Sequence, residues 1–328
     1  TRSAKGASAA WSSGLLETMD SSLVQRARSA ALLVPVVGAL VWFGPWSYFG
    51  LLAALAVVGG LELAPLLERL GWTLPGRPVS PATSRHAADG RVDPASGHVP
   101  PRPMTRRGAG LAFLPLLALV FFVASVAGWL GRAFLPLTLL AWLLPLFWLF
   151  RPLLPSRPAD RAGGILVHVL GAGYVGLLLA CFALLQGGLA HAHSWGPGPV
   201  FYAVLIIWGC DTGSYAGGRL FGRRKLWPAV SPGKTWEGAI AGFVVATVVG
   251  ALGAPLLGGP SPIWKGALLG AAAGVAGQLG DLIESRVKRL ASVKDASRLI
   301  PGHGGMLDRL DSILFAAPIL YLGLRGLK

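Results

Sequence analysis

Charged residues are scarce in this chain: they fill 13% of 328 positions, and only 14 of them are Asp or Glu. That is roughly half the charged share of an ordinary globular protein. With 53% hydrophobic residues and a mean hydropathy of +0.60, a water-soluble surface cannot be assembled, which excludes a soluble fold. Cysteine is scarcer still. Cys181 and Cys210 each sit in an apolar run, so there is neither a disulfide framework nor a zinc spacing, and both read as small buried hydrophobes. The apolar runs lack the period-two alternation of barrel strands, which excludes a membrane β-barrel. What remains is an all-α integral membrane protein, a polytopic helical bundle.

Nine apolar runs read as transmembrane helices, at about 30–44, 47–66, 109–129, 133–150, 164–186, 199–218, 236–257, 262–284 and 308–324. Lys and Arg sort by the loops between them. They precede the first run (Arg26, Arg28) and fill the loops after the second (Arg69 to Arg107), fourth (Arg151, Arg157, Arg161), sixth (Arg219 to Lys234) and eighth (Arg286 to Arg309). The odd loops hold only Arg132 and Lys265. The positive-inside bias then places the N-terminus and every even loop in the cytoplasm.

The chain divides accordingly. Residues 1–29 form a polar cytoplasmic segment, and 1–18, which precede Met19, read as an extension outside the fold. Two membrane runs occupy 30–75. Residues 76–108, with Pro78, Pro81, Pro94, Pro100, Pro101 and Pro103 among small polar residues, cannot bury an apolar face and read as a flexible cytoplasmic linker. Residues 109–198 hold the middle runs, and 199–328 hold the chemistry. The net charge of +15 follows the loops and has no helix-turn-helix or aromatic-rich basic surface beside it. No nucleic-acid partner is expected; anionic membrane lipids are.

Half of the scarce acids, seven of 14, fall between Asp211 and Asp311, in or beside apolar runs. Charge at membrane depth is costly and is read first as functional. The first patch is Trp208-Gly-Cys-Asp211-Thr-Gly-Ser-Tyr215, an acid among small residues; taken alone, Asp211 is as well explained as a hydrogen-bonded structural acid. The second is Ser231-Pro-Gly-Lys234-Thr235-Trp-Glu237. Its Gly-Lys-Thr is no phosphate-binding P-loop, since Pro228 stands where that motif needs glycine. A cation, hydroxyls and free N–H groups at a helix entrance still suit an anion, although a capped helix beside a basic membrane flank explains the same residues. The third patch runs from Asp281 to Asp311. On a helix Asp281, Glu284, Ser285 and Lys288 form one polar stripe, and Asp308 and Asp311 share a face near a helix N-terminus, joined through Pro301-Gly302-His303-Gly304-Gly305. A salt-bridged loop accounts for part of this, but not for an acid inside the run or for glycines flanking His303. Carboxylates from two helices among cations fit Mg²⁺ bound through a substrate's phosphates; zinc would want Cys or His clusters.

Ser285-x-Val-Lys288-Arg289-x4-Lys294-Asp295-x-Ser297-x2-Ile300-Pro301-x-His303-Gly304-Gly305-Met-x-Asp308-Arg309-Leu-Asp311 resembles the complete signature of phosphatidate cytidylyltransferases, also called CDP-diacylglycerol synthases. The Asp211 patch, the Ser231 patch and Gly280-Asp281-Leu-x-Glu-Ser285 resemble the same family's flanking motifs. The likeness is specific over about 200–328 and only general before that, and the linker departs from a compact member.

The resemblance implies transfer of a cytidylyl group from CTP to phosphatidic acid with release of pyrophosphate. It implies Asp281 and Asp308 as carboxylates for Mg²⁺, with Mn²⁺ as a substitute and the identity of any second cation open. Asp295 and Asp311 are implied as nearby ligands or orienters. Lys234, Lys288, Arg289, Lys294 and Arg309 are expected to meet phosphates, with Asp211, Ser231, Thr235, Ser285, Gly304 and Gly305 lining the substrate. His303 is assigned to pyrophosphate contact or proton handling, and a homodimer is implied. Two rivals stand: another CTP-dependent membrane lipid enzyme, of the polyprenol or phytol kinase or CDP-archaeol synthase type, and a secondary transporter. The transporter is disfavoured because the motifs gather in the last third of the chain instead of recurring in two halves.

Overall fold

The computed structural model describes residues 35–70, 110–150, 161–186, 197–257, 262–297, 299 and 304–327. The polar segment 1–29, the linker 76–108 and His303 lie outside these residues. A helical run over 35–42 opens the described chain. There follow α1 (Pro45–Arg69), α2 (Gly110–Val126), a short 3₁₀ turn, α3 (Phe134–Phe150), α4 (Arg161–Leu184) and α5 (Gly198–Phe221). A two-stranded antiparallel ribbon, β1 (Lys225–Trp227) and β2 (Ser231–Thr235), leads into α6 (Trp236–Gly253), then α7 (Ile263–Leu290) and α8 (Leu307–Leu327).

The all-α expectation therefore holds for the bundle and needs one correction. Lys225–Thr235, read from sequence as a basic loop, forms a hairpin because Pro228 and Ala229 turn the chain and the strands pair Lys225 with Thr235 and Trp227 with Ser231.

Helices stand at every position where an apolar run was expected, but fewer meet the size of a membrane span. Pro45–Arg69, Gly164–Leu184, Trp236–Gly253 and Ile263–Leu290 are long and apolar enough to cross, and Phe113–Val126 with Gly131–Trp142, bent by 118°, makes a fifth if the pair is one span. The helices α2 (from Gly110) and α3 (to Phe150) each border residues outside the described ones, and 17 residues of each are described. The helices α5 and α8 are longer but carry Asp211 and Arg219, and Asp308, Arg309 and Asp311, which lower their apolar character. Among the described residues, four helices, or five spans if the bent pair is one, meet the length and composition of a crossing.

The centre of the molecule is α4, 78% buried along its apolar window, whereas α6 at 22% is peripheral and shows Ile240, Phe243, Val244, Val248 and Leu252 outward. Lipid is as apolar as leucine, so helix association rests on close packing of small residues. At the α6–α7 crossing a Cβ on Gly250 would strike the Gly266 carbonyl and lie 2.8 Å from Gly270 Cα. At α5–α6, a Cβ on Gly242 would strike Ser214 Oγ and the Cys210 carbonyl. Both cysteines are buried and free, as expected. Polar tips of aromatics find backbone acceptors: those of the buried Tyr202 and Tyr48 donate to Gly250 O (2.6 Å) and Phe182 O (3.0 Å), and Nε1 of the half-buried Trp142 to Phe315 O (2.9 Å).

Candidate active site

The motif-bearing ends of α1, α5, α6, α7 and α8 meet at one end of the bundle, with the β-ribbon over them. The third patch is built first by α7, which continues to Leu290, six residues past the expected end of its run. That extension keeps Asp281, Glu284, Ser285 and Lys288 on one helical stripe. The helix then ends in a Schellman turn: Val293 N–H donates to Lys288 O and Ser292 N–H to Arg289 O, both at 2.9 Å, with Ser292 at φ 56° in the position usually taken by glycine. This turn aims the chain at Lys294 and Asp295, both exposed.

Asp281 is held from two sides. Its Oδ2 lies 2.5 Å from Lys234 Nζ of β2, and its Oδ1 accepts from Ser285 Oγ at 3.3 Å. Asp211 of α5 and Asp311 of α8 lie within electrostatic reach of the same pair. Four elements thus focus on Asp281. Gly280 permits it, because a Cβ there would run into Phe315 and sit 2.7 Å from the Asp311 carbonyl, driving α8 away.

Asp308 is engaged elsewhere. Its Oδ1 lies 2.5 Å from Lys288 Nζ, which also donates to Glu284 Oε1 at 3.2 Å, and these three side chains are all under a tenth exposed. Its Oδ2 accepts from Ala296 N (2.9 Å) and Gly305 N (2.8 Å). The pairing of Asp281 with Asp308 on one ion is therefore not assembled here: each acid holds a different lysine. Glu284 Oε2 is buried with no partner beside this cluster.

The remaining expected residues fall around these two acids. Thr235 Oγ1 accepts from Gly238 N at 3.1 Å and caps α6, the ordinary helix-capping role weighed for it above. Ser231 opens β2, half-buried opposite Trp227. Arg289 pins the ribbon tip to the end of α7 through Nε to Val230 O at 3.4 Å. Arg309 is exposed on the first turn of α8. Gly304, at φ 84°, and Gly305 let the chain pass Asp308 Oδ2, which would lie 3.1 Å and 3.0 Å from their Cβ atoms.

Two participants were missed by reading the sequence. Glu62 of α1 accepts from Ser297 Oγ and from the N–H groups of Met306 and Leu307. Gln278 of α7 donates to Ala239 O (3.1 Å) and Cys210 Sγ (3.3 Å), tying α5, α6 and α7 together one turn below Asp281. Glu62 satisfied the criterion that drew attention to Asp211, an acid inside an apolar run, but lay far from the motifs in sequence.

Among the described residues no group of three or more His, Cys, Asp or Glu side chains could hold a metal by itself. A hard divalent cation that shares its ligands with a substrate's phosphates needs only one or two carboxylates, and the donor set offered here is oxygen. The Lys234 ammonium already sits against Asp281 as a cation would. The residues fit Mg²⁺ in that sense.

Apolar helices that gather carboxylates and cations at one end define a helical membrane protein. A family model described as cytidylyltransferase family matches residues 101–326, well over half of the chain, and the chain belongs to that family. It is 41% identical over 162 residues to a phosphatidate cytidylyltransferase of Bacillus subtilis, covering 49% of this chain and 58% of that protein. With the proteins of the same name from Staphylococcus haemolyticus and Haemophilus influenzae it shares 40% over 153 residues (46% of this chain, 56% of the other) and 46% over 123 residues (36% and 43%). The chain spans about half the length of the curated relatives it matches.

Proposed function

We propose that the protein transfers a cytidylyl group from CTP to phosphatidic acid, giving CDP-diacylglycerol and pyrophosphate. The observation that carries this reading is the focus of Lys234, Ser285, Asp211 and Asp311 on Asp281 at one end of an apolar bundle. Family membership and the names of the relatives point the same way.

In this reaction a phosphate oxygen of the lipid attacks the α-phosphorus of CTP. The new P–O bond forms as the bond to the β-phosphate oxygen breaks, and the electron pair leaves on pyrophosphate. The lipid phosphate is already anionic, so no covalent enzyme intermediate is needed; the protein aligns the reactants and offsets developing charge. Lys234, Arg289, Lys294 and Arg309 are the proposed phosphate contacts, with His303 toward pyrophosphate and Ser231, Gly304 and Gly305 along the substrate path. Lys288, enclosed by Glu284 and Asp308, sets the position of the loop. Mg²⁺, replaceable by Mn²⁺, would supply charge neutralisation at the reacting phosphates when bound. Asp281 is its proposed main carboxylate, with Asp211 and Asp311 nearby; Asp308 would join only by releasing Lys288.

The test is a panel of acceptors. Purified protein with CTP should consume CTP with phosphatidate and with neither polyprenol nor phytol; consumption with those alcohols instead would favour the kinase rival. Transport into proteoliposomes without CTP turnover would favour a carrier.

Nine crossings and a cytoplasmic site belong to the same proposal, supported by the distribution of Lys and Arg over the loops; the inner membrane and a homodimer follow from the family resemblance. A membrane-impermeant thiol reagent should label Leu299→Cys from the cytoplasm and Trp129→Cys from outside. Both positions are exposed, at 56% and 77%, and the native cysteines are buried. Labelling of both from one side would overturn the arrangement.

A further inference from the structure

Glu62 is 6% exposed and lies on α1, before the linker and outside the stretch matched by the family. A buried carboxylate is tolerated only where hydrogen bonds compensate it. It accepts three hydrogen bonds from a single segment more than 200 residues away. Oε1 accepts from Ser297 Oγ (2.5 Å) and Met306 N (2.9 Å), and Oε2 from Leu307 N (2.6 Å). Charge-assisted bonds of this length are the strong kind, and Met306 and Leu307 present N–H groups that the start of a helix cannot satisfy within itself.

The pattern of these bonds matters as much as their number. Ser297 lies on one side of the segment carrying His303, and Met306 and Leu307 lie on the other. Asp308 joins the same two limbs from within, through Ala296 N and Gly305 N. Gly305 leaves space for the arrangement: a Cβ there would lie 2.8 Å from Glu62 Oε2 and 2.9 Å from Ser297 N. If Glu62 served only as a cap for α8, its bond to Ser297 would have no purpose.

We propose that Glu62 is a positioning residue for cytidylyl transfer, an intramembrane carboxylate that clasps both limbs of the signature segment and fixes Lys294, Asp295 and Arg309 relative to the Asp281–Lys234 pair. This rests on the activity proposed above. It also gives the N-terminal helices a task in the reaction, since the catalytic segment takes its register from α1.

Glu62→Gln is the direct test. An amide offers one acceptor oxygen, so in either orientation its NH₂ faces a backbone N–H and at least one of Met306 and Leu307 loses its partner. Turnover per folded molecule should fall about tenfold or more, the scale seen when groups that orient a site are removed. Hydrogen exchange at Met306 and Leu307 should quicken. Ser297→Ala should lower turnover, Ser297→Thr should restore it, and the losses from Glu62→Gln and Ser297→Ala should not multiply in the double variant.

Unchanged turnover per folded molecule in Glu62→Gln, or losses that multiply, would overturn the proposal. Should Glu62→Gln fail to fold, Ser297→Ala against Ser297→Thr decides it, equal turnover of the two being the contrary result. If the wild-type protein makes no CDP-lipid, the proposed activity fails on its own; the clasp is still judged by exchange at Met306 and Leu307, where unchanged protection in Glu62→Gln would end it.

Discussion

Asp281→Asn should cut CTP-dependent lipid turnover by at least about a hundredfold while the protein inserts, purifies and melts near the wild-type temperature. Loss of outer groups around a metal or phosphate site costs roughly 10–100-fold, and a residue at the focus of the site should exceed that. Asparagine preserves size and the contact with Ser285 but removes the charge facing Lys234. That pair is about 30% exposed, with side-chain values of 28% and 32%, so losing it should cost little stability. Asp308→Asn provides the contrast. Its carboxylate meets Lys288 and two N–H groups in a setting under a tenth exposed. Neutralising it leaves Lys288 with Glu284 alone and should lower the melting temperature together with turnover. Turnover and melting temperature measured on both variants in one detergent decide this. Near-normal activity in Asp281→Asn would remove that residue from the centre of the site.

Chelation should have the largest effect of all. Activity in EDTA should fall to background and return with Mg²⁺ or Mn²⁺, because three anionic groups must be brought together and the oxygen donors at Asp281 suit hard ions. Ca²⁺, which prefers more ligands at longer distances, should restore less. Full turnover by metal-stripped protein in chelator would show that lysine and arginine alone offset the phosphate charge.

Much of this site was legible in the chain because its chemistry is local in sequence. Asp281, Glu284, Ser285 and Lys288 follow helical spacing, so their stripe could be drawn without coordinates, and the structure keeps them on one helix. The partnerships were not legible. Lys234 and Asp281 are 47 positions apart and Glu62 and Leu307 are 245 apart, and no spacing rule reaches across a bundle. Nor could spacing foretell that Lys288 would claim Asp308. The positions of the helices were readable from apolar runs, and the described residues place a helix at each of them. The β-ribbon was hidden by its composition, since Pro228, Pro232 and four cations between Arg223 and Lys234 read as a loop, and its contact with α7 through Arg289 lies 59 positions away in sequence.

The most direct measurement follows the two ends of CTP separately. Purified protein in phosphatidate-containing vesicles would be given CTP labelled at the α-phosphate in one reaction and at the γ-phosphate in another. Cytidylyl transfer predicts that the α label enters the lipid and the γ label is released as pyrophosphate, in equal amounts. Entry of the γ label into lipid, with CDP released, would contradict the account and make the protein a CTP-dependent lipid kinase.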